Sequence, residues 1–170
     1  GGYVIRMGTP VEDPLPEGLP PQIIDYATHF WTDFMDIYLM ATCRFFLSSS
    51  SGLMCVAMAF DTPNAPANYV PYQYIGIGKK TVYIPKHLVR ADTGKRLSLR
   101  EIHDLGLMDI DNYGDLNEKE TYSSQGLEWR NNTSTEILGL CRDMMAKLEG
   151  KPVPARIQKL QGCYHSFYSD

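Results

Sequence analysis

Three observations predict an α/β layered domain with a mainly parallel sheet. Short apolar runs alternate with segments of helical period. Two of those runs pass straight into a small polar loop, at Met7 to Gly8 and at Leu47 to Ser48. The 170 residues, 44% hydrophobic, 11% aromatic and 21% charged, make one ordinary globular domain. Strands that alternate with helices feed a parallel sheet, because every parallel return needs a crossover. A chain of this length buries roughly two-thirds of its unfolded surface, so it needs neither disulfide nor metal to fold.

The elements follow in order. Tyr3 to Met7 reads as a short buried strand ending at Gly8. Pro10, Pro14, Pro16, Pro20 and Pro21 then remove backbone donors and forbid a helix, so this stretch is a loop. Gln22 to Tyr26 reads as a second strand. Thr32 is a helix N-cap, with Asp33 and Asp36 in the first turn where carboxylates suit the dipole. Phe34, Ile37, Tyr38 and Ala41 follow at helical spacing and form one apolar face. Cys43 to Leu47 is the next strand. It enters Ser48 to Ser51 and a mostly apolar helix from Gly52 to Phe60, closed by Pro63. Further strands are predicted at Ala67 to Val70 and at Thr81 to Ile84.

Capping boxes open two later helices. Ser98 with Glu101 starts one that ends near Leu105, and Thr133 with Glu136 starts another. In the second, Ile137, Leu140, Cys141, Met144, Met145 and Leu148 keep helical spacing up to Gly150, which stops it. Gly106 to Glu128 is polar and aperiodic and reads as loop. The tail from Lys151 has two prolines and no period, and is expected to pack across the surface.

Composition narrows the function classes. Lys and Arg number 16 against 20 Asp and Glu, a net charge of −4, and no dense basic run exists to neutralise a phosphate backbone. No run approaches the roughly 18 apolar residues of a membrane span. The N-terminus shows no basic region followed by a long apolar core. Cys43, Cys55, Cys141 and Cys163 contain no C-x-x-C pair and read as small core residues of a reducing cytoplasm. Asn131 to Ser134 holds two overlapping glycosylation sequons, a pattern too common to imply secretion.

In open α/β sheets, ligands bind at the carboxyl ends of strands where loops lead into helix N-termini. The serine loop has that form. Its N–H groups and hydroxyls converge where a helix dipole favours an anion, so Ser49, Ser50 and Ser51 could cradle a phosphate, and Gly52 leaves room for close approach. An ordinary serine-rich connection with N-cap duty explains the same residues equally well. Neither a Walker A loop nor a G-x-S-x-G elbow occurs, and Gly76-Ile77-Gly78-Lys79-Lys80 has the wrong spacing. Arg6, at the end of the first strand, either pairs with a carboxylate such as Asp25 or reaches the ligand cleft. Asp33 and Asp36 could share a helix face, though first-turn acids commonly serve the dipole alone. Asp109-Ile110-Asp111 matches a D-x-D metal pattern but lies in a polar stretch where a solvated acidic loop is the commoner cause. His29, His87, His103 and His165 lack ligand spacing. Phe30, Trp31, Tyr69, Tyr72 and Tyr74 could stack on a base or sugar, although such residues more often fill cores.

Several of these stretches resemble a known family. Tyr3 to Gly8, Ile24 to Ala27, Asp33 to Leu39, Cys43 to Phe46 and Ser48 to Gly52 look like a family of bacterial and archaeal glycosyltransferases. Tyr69 to Pro71, Ile84 to His87 and Asn132 to Ile137 belong to the same pattern. More distantly, the strand–serine–glycine–helix block is similar to the donor-binding, carboxy-terminal half of GT-B enzymes, including fucosyltransferases. The resemblance implies a Rossmann-like three-layer domain over residues 1–150, truncated at its N-terminus, with residues 151–170 as a surface tail. It implies that Ser50, Ser51 and Gly52 contact the pyrophosphate of a nucleotide-diphosphate sugar, with Ser49 alongside. Arg6 and Gly8 would border the nucleotide, and Asp36 would orient the helix or touch the base or ribose. No bound metal or other cofactor is expected. Family members carry an earlier His-x-Arg-like or Arg-Asp segment and an acceptor domain. The chain therefore reads as one half of an enzyme in surface-polysaccharide synthesis, meeting its glycan or lipid-linked acceptor through the other half, and inactive alone. Alternatives of the same architecture are a sugar-nucleotide 2-epimerase and a non-catalytic binding or assembly module. A free sheet edge makes a homodimer a further expectation.

Overall fold

The computed structural model describes residues 2–8, 11, 13–70, 72, 80–108 and 122–166. The chain is an α/β domain in which, among those residues, six helices accompany three two-stranded sheets. Two sheets are parallel and one is antiparallel, so the expected mainly parallel character holds for two pairs and fails for the third.

Strand β1 (Val4–Ile5) pairs with β2 (Ile23–Ile24) through Val4↔Ile23 and Ile5↔Ile24. The N–H groups of Val4 and Arg6 donate to the carbonyls of Gln22 (2.8 Å) and Ile24 (2.9 Å). Both residues of β1 are exposed, which corrects the expectation of a buried strand: backbone pairing, rather than burial, holds this ribbon. The proline-rich connection is tied down by Asp25, whose carboxylate accepts the Leu15 N–H at 2.8 Å. Helix α1 (Tyr26–His29) starts where the second strand was expected to continue. Its Ala27 N–H donates to the Arg6 carbonyl at 3.0 Å and bends the chain away from the ladder.

Helix α2 (Asp33–Thr42) begins as its sequence predicts, with the Thr32 hydroxyl accepting the Met35 N–H at 3.2 Å. The predicted apolar face is turned outward. Phe34, Ile37 and Tyr38 are exposed, and the buried residue is Met40, on the other side. Strand β3 (Phe46–Ser48) leads through the serine loop into α3 (Gly52–Ala59), whose Met54 and Ala57 are buried. The Thr62 hydroxyl after α3 donates to the Met40 carbonyl at 2.7 Å and locks the α2–α3 pair.

Strand β4 (Asn64–Pro66) runs parallel to β3, with Phe46↔Asn64, Leu47↔Ala65 and Ser48↔Pro66 opposite one another. On its other edge, Val82 and Ile84 donate to the carbonyls of Asn64 (3.1 Å) and Pro66 (3.0 Å), so residues 81–84 add a third parallel row. The strand expected at Ala67 to Val70 is displaced to β4. Asn68 sits at φ +53°, a left-handed conformation that breaks a ladder and that Asn tolerates better than most residues.

Strand β5 (His87–Arg90) pairs antiparallel with β6 (Leu127–Arg130), which corrects the loop reading of Gly106 to Glu128 at its end. Helix α4 (Leu99–Asp104) keeps its capping box. Around it lies one core cluster: Tyr72, Leu88, Leu97, Ile102, Leu107, Met108, Tyr122 and Leu127. The Trp129 ring lies against Tyr72 and Tyr122, with centroids 5.6 and 4.9 Å apart. The second cluster packs Ala65, Ala67, Val82 and Ile84 under α5 (Ser134–Leu148), through Ile137, Leu140, Met144 and Leu148.

Helix α6 (Ala155–His165) forms within the tail that shows no period in sequence. Residues 151–163 are all exposed. The four cysteines are free thiols. Cys43 and Cys141 are half-buried, with burial pushing each thiol up, while Cys55 and Cys163 are exposed rather than core residues. Among the described residues no helix is long and apolar enough to cross a membrane.

Candidate functional site

The carboxyl edge of the β3–β4 ladder collects the polar residues that could hold a ligand. Ser48 ends β3 and is buried, its hydroxyl donating to Asn64 Oδ1 at 2.8 Å. Its carbonyl takes the Ala67 N–H at 2.8 Å, which seats the residue 67–70 turn beside the serine loop. Ser50 fastens the two together: its hydroxyl donates to the Val70 carbonyl at 3.1 Å and faces the Val70 N–H at 3.5 Å. Asn64 Nδ2 is buried with no partner among the described residues.

Ser51 is the N-cap of α3, with φ −148° and ψ 162°, yet its side chain makes no capping bond. Thr32, Ser98 and Thr133 each accept a first-turn N–H of the helix they cap. The Met54 N–H donates to the Ser51 carbonyl at 3.1 Å, while the Ser51 hydroxyl and the N–H groups of Gly52 and Leu53 have no partner among the described residues at the positive end of the helix dipole. Ser49 is exposed, and nothing lies within 4 Å of where a Cβ on Gly52 would stand, so the approach to the backbone is open.

A second polar group stands on the same edge, and sequence reasoning gave it no site role. Asn68 and Asn132 bind each other reciprocally: Asn68 N–H donates to Asn132 Oδ1 at 2.7 Å, and Asn132 N–H to Asn68 Oδ1 at 2.6 Å. Asn132 Nδ2 donates to the Pro85 carbonyl at 2.8 Å, so this sequon residue is consumed in structure. Next to it, Glu136 closes the α5 capping box and lies 2.8 Å from His87 Nε2. The Thr133 N–H, followed by the His87 ring, holds the Glu136 carboxyl down at about 2. An ionised carboxylate only accepts, so His87 Nε2 carries the proton. In the neutral ring Nδ1 is then a bare acceptor, buried and without a partner among the described residues. Arg96 approaches the same carboxylate at 3.8 Å. The capping box marked Glu136 in sequence. No local pattern marked the pairing of His87 with Glu136 or of Asn68 with Asn132, which meet only across 49 and 64 residues.

The remaining candidates stand apart. The Arg6 guanidinium donates to the Asp13 carbonyl at 2.7 Å and reaches the Asp25 carboxylate at 3.4 Å, the structural pairing of the two readings. The Leu15 N–H, helped by Thr28 and Arg6, holds Asp25 below the usual carboxylate range. Gly8 has φ +103°, a conformation that favours glycine. Asp36 accepts the Trp31 indole N–H at 2.9 Å, and its other oxygen is buried without a partner among the described residues. Among the described residues no hydrogen bond or ion pair joins Arg6, Gly8 or Asp36 to the serine loop. Tyr69 and Tyr72 are buried.

Asp109, Asp111, Tyr74 and residues 76–79 lie outside the described residues. Among those described, no three His, Cys, Asp or Glu side chains gather as metal ligands would. A groove of about 470 Å³ along the outer face of α5, lined by Leu138, Cys141 and Met145, touches none of the candidate residues. Comparison of the chain with protein-family models, curated proteins and solved structures found no match.

Proposed function

We propose that the chain is the donor-binding domain of a glycosyltransferase, a Rossmann-like unit of the GT-B kind that holds a nucleotide-diphosphate sugar. The observation that carries this reading is the junction from β3 through Ser49, Ser50 and Ser51 into α3. It lies at the carboxyl edge of a parallel ladder, it holds Ser50 by a hydrogen bond to Val70, and it leaves the Ser51 hydroxyl free at the helix N-terminus. Free N–H groups and a positive dipole end there suit the diphosphate. They would also stabilise it as a leaving group when the glycosidic bond breaks. The transfer itself would draw its acceptor from another domain, and the acceptor class is a surface glycan or its lipid-linked precursor.

Thermal-shift titration of the chain with GDP, UDP, ADP and CMP, each with and without magnesium, tests the reading. One diphosphate at a hundred times its dissociation constant should add about 2.7 kcal/mol. Ser51→Ala should then weaken that diphosphate by about 1.5–3 kcal/mol, one hydrogen bond to a charged group. A flat response to all four, or an unaltered affinity in Ser51→Ala, would remove the serine loop as a donor site.

A second reading, a nucleotide-sugar-binding module with no chemistry of its own, draws on Arg6. Its guanidinium is committed to Asp13 and Asp25 rather than pointed at the serine loop. Diphosphate binding without turnover, when the full-length product is supplied with donor and acceptor, would favour it.

A further inference from the structure

Two helices of this chain expose apolar faces with opposite charge. Helix α2 presents Phe34 (73% exposed), Ile37 (50%) and Tyr38 (51%) on one side, and Phe30 (64%) and Trp31 (44%), just before it in the chain, are exposed as well. The stacked Phe34 and Tyr38 rings, 6.2 Å apart, make that face continuous. Its charges are Asp33 and Asp36, and the helix holds no Lys or Arg. Helix α6 presents Ile157 (38%) and Leu160 (56%), preceded by Val153 (41%). Its charges are Arg156 and Lys159, and residues 151–165 contain no Asp or Glu. Among the described residues none of Asp33, Asp36, Arg156 or Lys159 has an ion-pair partner.

Area and charge together select the occupant. Taking ~200 Å² for a fully exposed aromatic side chain, Phe34, Ile37 and Tyr38 offer roughly 330 Å² and Phe30 and Trp31 roughly 200 Å² beside them. That is as large as the largest apolar patches of ordinary monomers. The α5 groove is a poorer seat for α6, since its one acid, Glu149, is already engaged by Lys151 and Arg44, which leaves Arg142 on the wall to face Arg156 and Lys159. The α2 face carries the complementary sign.

We propose that two copies of this chain exchange helices, α6 of each lying on the α2 face of the other. Two-fold symmetry repeats the contact. Two such seats, counting both helices in each, bury roughly 1,400 Å² of apolar surface, within the range of stable interfaces. Arg156 and Lys159 then meet Asp33 at the rim while Ile157 and Leu160 cover Phe34, Ile37 and Tyr38, Asp36 being held instead by the Trp31 indole. The contact is made of helix faces, independent of the serine loop.

Light scattering on the 170-residue chain should give twice its 19.2 kDa. Phe34→Glu and Leu160→Glu should each give monomer with an unchanged far-ultraviolet spectrum, since both side chains are exposed and neither supports the fold. Asp33→Lys alone and Lys159→Asp alone should each weaken association about tenfold, because like charges then face one another. The two together should restore it. A wild-type chain that stays monomeric at every concentration, or a dimer that survives Leu160→Glu, overturns the exchange. Failure of the charge swap to restore association overturns the pairing of these two helices. A monomer in which Lys159 cross-links to Asp33 of its own chain would show α6 folding back instead, and would also overturn it.

Discussion

Replacing Asn132 by Ala tests how the carboxyl edge of the ladder is held. The side chain is buried and does two jobs, accepting the Asn68 N–H at 2.7 Å and donating to the Pro85 carbonyl at 2.8 Å. Truncation deletes both bonds and strands both backbone groups in a half-buried place. A typical net hydrogen bond contributes about 1 kcal/mol, and a stranded buried group costs about 1–3 kcal/mol, so the loss should be about 2–4 kcal/mol. For a chain of this size that lowers the melting temperature by roughly 5–12 °C. Urea unfolding followed by tryptophan fluorescence and circular dichroism measures it, with the slope of the transition unchanged. Asn131→Ala, one residue earlier and exposed, is the control and should fall within about 0.5 kcal/mol of the parent. A loss below about 0.5 kcal/mol in Asn132→Ala itself would refute the reasoning, since water would then be replacing both bonds.

Other perturbations probe neighbouring parts of the argument. Asn68→Ala, at φ +53°, should cost more than Asn68→Gly, because Gly keeps the left-handed turn while both lose only the bond accepted by Asn68 Oδ1; equal melting temperatures would exclude backbone strain there. Met40→Ala empties a fully buried position between α2 and α3 and should cost about 2–5 kcal/mol by chemical denaturation. Glu136 is ionised in the folded chain down to about 2 against an ordinary 4.5. The stability it confers is present in full above 4.5 and is lost as pH falls from there through about 2. In an acid titration, Glu136→Gln should flatten that part of the stability profile, and a profile with the parent's slope would show that other carboxylates dominate.

What local chemistry could specify, the chain displays openly. The capping boxes at Ser98 and Thr133, the Thr32 cap and the strand–serine–helix junction all depend on residues within one turn of each other, and each forms where its spacing places it. Long-range packing is less visible. Leu107, Met108, Tyr122 and Leu127 lie in or beside a polar stretch with no period, yet they are buried because Trp129 and Tyr72 close over them. The helical spacing of Phe34, Ile37 and Tyr38 marks an apolar face correctly, but periodicity carries no sign saying whether a face turns inward. The same limit governs the site. Ser49, Ser50, Ser51 and Gly52 sit together because they are adjacent in sequence. His87 and Glu136, or Asn68 and Asn132, become neighbours only when the ladder and α5 have assembled.

The Asn68–Asn132 clasp closes a span of 64 residues at its base, and every member of the first core cluster falls inside that span. The second cluster is built from residues outside it together with Val82 and Ile84. Each hydrophobic cluster therefore draws mostly on its own stretch of chain. Such an arrangement divides cooperativity. The β5–β6 lobe should open to solvent as one unit, its amides exchanging at a common free energy distinct from that of β3, β4 and α5. Closing that 64-residue span costs the entropy of a long loop, so the clasp belongs among the last contacts to form when the chain folds and the first to part when it is strained.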